Sequence, residues 1–128
     1  MKTLFDYLEQ VQLLVKELAG VEIERYEEQV LSQERGNLRI RLRFTNNSLL
    51  EISEAILVKE KAFSWLSYRY HYQRSDGSVI FRYDNTPHHP EVSTHPDHKH
   101  TEDEVVATVR PDIEQVLTEA KEHAERRR

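Results

Sequence analysis

The stretch Leu38-Arg39-Ile40-Arg41-Leu42-Arg43-Phe44 alternates apolar and cationic side chains without a break. A period of two is the mark of a strand with one covered face, because successive side chains leave the backbone on opposite sides. Leu38, Ile40, Leu42 and Phe44 must therefore meet a core, and Arg39, Arg41 and Arg43 share the other face. Asn46-Asn47-Ser48 is turn chemistry, and Leu50, Ile52 and Ile56 continue a partner strand. Residues 38–56 are thus expected to be a hairpin whose arginine face looks away from the core.

Upstream, Leu4, Leu8, Val11, Val15 and Leu18 recur at spacings of three and four, with Phe5 and Leu14 widening the stripe. That is an amphipathic helix, expected over 2–19 and stopped by Gly20. Val21 and Ile23 alternate with Glu22 and Glu24 and favour a strand, and 33–37 reads as a turn. Downstream, Phe63–Gln73 is a further strand. Strict alternation puts Leu66, Tyr68, Tyr70 and Tyr72 on one face and Trp65, Arg69 and His71 on the other. Ser75-Asp76-Gly77-Ser78 is a hairpin turn, and Val79, Phe81 and Tyr83 alternate with Ile80 and Arg82 on the return.

Residues 85–101 hold Pro87, Pro90 and Pro96, each of which removes a backbone donor and disfavours helix before it. This reads as a long loop. The last segment, 111–127, reads as a helix that starts at Pro111 and buries Ile113, Val116, Leu117, Ala120 and Ala124. Its last arginines, Arg126, Arg127 and Arg128, suit the negative end of the helix dipole. The expected fold is α+β: one domain, 1–128, with an antiparallel meander of four or five strands over about 21–84. The N- and C-terminal helices pack on one face of that sheet.

Composition narrows the function. The 128 residues carry a net charge of -5, which argues against coating nucleic acid by bulk positive charge. Both ends are acidic and the middle is mildly basic. The absence of cysteine removes disulfides, thiolate metal sites and cysteine nucleophiles. Apolar runs are far too short to span a membrane, and Asp6 stands where a secretory signal would be apolar, so a cytoplasmic protein is expected.

Five of the seven histidines fall between His88 and His100. Two charged strands feed this loop: Tyr68-Arg69-Tyr70-His71-Tyr72 and Phe81-Arg82-Tyr83-Asp84-Asn85. Arginine and lysine hold phosphate oxygens, histidine moves protons near neutral pH, and tyrosine stacks on bases. One chemistry uses these groups without a metal: cleavage of RNA by its own 2′-hydroxyl. It needs a base, an acid and a cation at the phosphorane. Arg82, His88, His89, His98 and His100 are the catalytic candidates. Arg69, His71, Tyr83 and Lys99 are the substrate contacts, with Tyr83 or Lys99 at the cleft rim. No cofactor is expected. Two alternatives stay open: a non-catalytic RNA- or protein-binding module, or a metalloprotein using His95, His98 and His100 with Asp97.

The run from Phe81 to Glu91, followed by Pro96-Asp97-His98-Lys99-His100 and the later Pro111-Asp112-Ile113, resembles the TumE family of small bacterial and archaeal proteins. The resemblance implies the toxin half of a type II toxin–antitoxin pair. It further implies a ribonuclease that halts growth, held inactive by an antitoxin with a helix-turn-helix domain.

Overall fold

The computed structural model describes residues 3–126. Its elements are α1 (Leu4–Lys16), β1 (Val21–Val30), β2 (Arg35–Phe44), β3 (Leu49–Lys59), β4 (Ala62–Gln73), β5 (Val79–Asp84), β6 (His98–His100), β7 (Val105–Ala107) and α2 (Ile113–Arg126). The strands form one antiparallel sheet in the order β1-β2-β3-β4-β5-β6-β7. The meander and the flanking helices are as expected, but the sheet has seven strands rather than four or five. The two extra strands are three residues each, too short to leave a periodic signature. β6 lies inside the segment read as a continuous loop. Arg127 and Arg128 lie outside the described residues.

The β2–β3 hairpin has the expected register. Leu38, Ile40, Leu42, Phe44, Leu50 and Ile52 are all buried in the core. The arginines of β2 face the other way, where Arg41 and Arg43 both bond Glu24 of β1 at 2.9 and 3.0 Å. β2 begins at Arg35, so Gly36 and Asn37 belong to the strand and not to a turn. A side chain at Gly36 would meet Leu4 at 3.1 Å and the Gln29 carbonyl at 3.3 Å. The missing side chain therefore lets α1 lie close against the sheet.

Thr3 caps α1 through a reciprocal pair with Asp6, which satisfies donors at the helix start. The helix buries Leu4, Tyr7, Leu8, Val11 and Val15, whereas Phe5 faces solvent. Tyr7 takes the inner position because its hydroxyl has a buried acceptor, Glu54 Oε1 at 2.6 Å. α2 buries Ile113, Val116, Leu117 and Ala120 in the same core.

β4 departs from strict alternation. Ser67 pairs with Ala55, but Trp65 pairs with Ile56, so Leu66 is an extra residue in a bulge. One inserted residue flips every side chain before it to the other face. Leu66 is consequently exposed, and Trp65 packs with Phe63 against the core. Beyond the bulge, Tyr68, Tyr70 and Tyr72 are buried as expected. No described helix is long and apolar enough to cross a membrane.

Candidate functional site

The helix-free face of the sheet is polar, and register assembles the site there. His71 pairs with Arg82, Arg69 with Asp84, Arg82 with His100, and Asp84 with His98. Directly paired residues share a face, so three adjacent strands bring two arginines, three histidines and a carboxylate together.

The segment between β5 and β6 folds back over this patch through a series of tight turns. They close from His88 N to Thr86 O, Val92 N to His89 O, His95 N to Val92 O and Asp97 N to Thr94 O. Asn85 anchors its start. Its Oδ1 accepts from Tyr68 N at 3.1 Å and its Nδ2 donates to Trp65 O at 3.4 Å, so it satisfies backbone groups on either side of the bulge. Thr94 Oγ1 anchors the other end by accepting from Thr108 N at 2.9 Å.

Under this cover His98 and Asp84 are buried, at 0% and 3% exposure. His98 Nε2 lies 3.0 Å from Asp84 Oδ1 and 3.1 Å from His100 Nε2. Asp84 Oδ1 also accepts from Thr86 N at 3.0 Å and Thr86 Oγ1 at 2.6 Å. His89 packs its ring against both His98 and His100. Burial lowers the pKa of His100, with the Asp84 carboxylate opposing that shift.

Arg82 Nε donates to His71 Nδ1 at 3.3 Å, and His71 Nε2 meets Gln73 Oε1 at 2.9 Å. His71 must accept at one nitrogen and so donates from the other to Gln73. Its pKa is lowered by burial, which fits this neutral form. His71 thus aims a cation without competing with it.

A cleft of about 460 Å³ opens over these groups, lined by Arg69, Arg82, Asp84, His88, His89 and His100 among others. Of the residues singled out in the sequence, the cleft therefore brings together Arg69, Arg82, His88, His89 and His100. His98 sits beneath them and His71 braces Arg82. Tyr83 and Lys99 are not at the cleft or its rim. Alternation sends both to the helix-covered face, where Tyr83 donates to Glu119 at 2.7 Å and Lys99 pairs with Glu119 at 2.9 Å. His95 is exposed, and Asp97 accepts from the Tyr68 hydroxyl at 2.8 Å. His89 and Asp84 stand where His95 and Asp97 were expected beside His98 and His100. Asp84 carried its own signal: it alternates with Arg82 on β5, as His100 does with His98 on β6.

The arrangement sets arginine cations that could hold an anion beside imidazoles that could transfer protons, around one cleft. No curated protein matches the chain, and no solved structure does. The sequence model of the family described as Toxin TumE matches residues 9–128, nearly the whole chain, and the protein belongs to that family.

Proposed function

We propose that the protein is the toxin of a toxin–antitoxin pair and acts in the cytoplasm as a metal-independent endoribonuclease. The observation that carries this reading is the grouping of Arg69, Arg82, His88, His89 and His100 around one open cleft. Arg82, oriented by His71, and Arg69 hold a phosphodiester through charge-assisted hydrogen bonds. One cleft imidazole removes the 2′-hydroxyl proton as that oxygen attacks phosphorus. A second protonates the departing 5′-oxygen, leaving a 2′,3′-cyclic phosphate and a 5′-hydroxyl. His98 acts through His100 as a positioning residue. The partner is an antitoxin with a helix-turn-helix domain that keeps RNA from the cleft.

The test is induction of the chain in growing cells, followed by incubation of purified protein with single-stranded RNA in the presence of a chelator. Growth arrest, and fragments ending in cyclic phosphate, are expected for the wild type. Both should be lost in Arg82→Ala and His100→Ala. Protein that binds RNA without shortening it would instead make the chain a binding module.

A further inference from the structure

We infer that His89, His98 and His100, with Asp84 beside them, form a binding site for one divalent transition-metal ion of the zinc class. His98 and His100 alternate with Lys99 on β6, so both imidazoles leave the strand on one face. His89 arrives from the covering loop. One ring nitrogen from each of the three lies within 4.8 Å of the others. The rings stand steeply to one another, at 62° for His89–His98, 77° for His89–His100 and 76° for His98–His100. In-plane lone pairs on rings so disposed can converge, whereas stacked rings would aim theirs in parallel.

The outer nitrogens settle which ones face inward. His98 Nδ1 lies 2.9 Å from Pro96 O, and a carbonyl only accepts, so Nδ1 carries a proton and Nε2 is the ligating atom. His89 Nδ1 lies 3.0 Å from Glu91 Oε2, which leaves its Nε2 free in the same way. Metal-bound histidines commonly donate their other N–H to a carbonyl or carboxylate, which fixes the ring and its tautomer. Both histidines have that support.

Inside the cluster, His98 Nε2 faces His100 Nε2 at 3.1 Å and Asp84 Oδ1 at 3.0 Å. A single proton satisfies one such pair, whereas a metal cation meets all of these lone pairs together. Thr86 occupies Asp84 Oδ1, and Oδ2 lies 3.7 Å from His100 Nε2 as the fourth donor. Three imidazole nitrogens and one carboxylate oxygen suit zinc, cobalt, nickel or copper better than magnesium or calcium. A tetrahedral ion with bonds of about 2.0 Å holds its ligands about 3.3 Å apart, so small side-chain rotations close the site.

This inference does not rest on the ribonuclease reading. The two make opposite demands on the same atoms: proton transfer needs free lone pairs, and an ion takes them. Metal loading therefore inhibits imidazole-driven cleavage.

The experiment uses the untagged full chain, stripped with a chelator. Zn(II) is titrated against a chromophoric indicator, and Co(II) is added separately for its visible absorption. One equivalent of zinc and a tetrahedral cobalt spectrum are expected. His98→Ala removes a fully buried ring and so tests folding as well as binding, and His89→Gln and His100→Gln are therefore measured alongside it with circular dichroism. Each should weaken zinc binding at least about tenfold. His95→Gln should leave the affinity unchanged. No binding near one equivalent, or equal weakening by His95→Gln and His89→Gln, overturns the site. Cleavage is followed on the same samples. Loss of cleavage on zinc loading and its return with chelator support both readings. Cleavage that requires zinc keeps the site and removes the metal-independent reaction. No cleavage in any sample removes the ribonuclease reading while the titration still decides the site.

Discussion

Glu54 and Asp84 are carboxylates buried to the same degree, each 3% exposed, on opposite faces of one sheet. Glu54 points into the helix-covered core, where it accepts from the hydroxyls of Tyr7 and Tyr70 and lies 3.8 Å from Arg110. Arg110 also donates to the Tyr70 hydroxyl at 2.9 Å and lies over the Trp65 ring, 3.4 Å from its centre. Asp84 lies beneath a cleft and is met by Thr86, His98 and His100.

The difference lies in the partners. Burial pushes the Tyr7 and Tyr70 hydroxyls far above their usual range, so they keep their protons at any physiological pH. Imidazoles gain and lose protons near neutrality and bind metals. A buried carboxylate among tyrosines and arginine ties α1, β4 and the segment leading into α2 together. The same group among histidines lies against an open cleft. Burial alone does not mark a site; the identity of the partners and access to a cleft do.

The largest expected effect is on the structural side. Glu54→Ala leaves two buried hydroxyls without their acceptor and removes the carboxyl group 3.8 Å from Arg110, and should cost about 3–5 kcal/mol in denaturant unfolding. A loss below about 1 kcal/mol would break the comparison, because Glu54 would then not be locking the core.

Arg82→Ala makes the converse test. It should reduce RNA cleavage at least about tenfold while changing stability by under about 1 kcal/mol, since the side chain is only partly buried. Unfolding in step with the lost activity would make the cleft face structural as well.

A pH series sharpens the contrast at Glu54. Burial raises its carboxyl above the ordinary range, against the lowering effect of the tyrosine hydrogen bonds. A raised carboxyl contributes its full stability below the unfolded value and loses it as pH rises through the folded one. The melting temperature of the wild type relative to Glu54→Gln should therefore fall from about pH 4 toward neutrality. A difference that grows with pH would reverse the assignment.

The smallest effect belongs to Lys99→Ala. Its ion pair with Glu119 is partly exposed, so the loss should be about 0–1 kcal/mol. Cleavage should be unchanged, because the ammonium lies on the helix side of the sheet. A tenfold loss of cleavage would return Lys99 to the substrate face.

Much of this was legible in local pattern. The alternation from Leu38 to Phe44 determined which face of β2 is covered, because a strand offers only two faces and arginines do not share the core with leucines. The turn at Ser75–Ser78 brought His71 near Arg82, and a register shift between Tyr72 and Gln73 sets the two directly opposite. The density of histidine beside arginine pointed to chemistry on phosphate.

Tertiary structure alone decided the rest. The bulge at Leu66 reverses Trp65 with no glycine or proline to announce it, since its cause is the fit of the strand to its neighbour. Lys99 left the site because β6, only three residues long, pairs with β5 and imposes alternation on a segment that looked irregular, whereas Tyr83 already stood opposite in face to Arg82 in the alternation of β5. Period two puts Glu54 on the covered face between Ile52 and Ile56, but what meets it there was not legible, because its partners come from α1, from β4 and from the approach to α2, remote along the chain. Which histidine meets which was decided by how the loop folds back over the sheet. Spacing determines neighbours within one strand, and only long-range pairing determines neighbours between them.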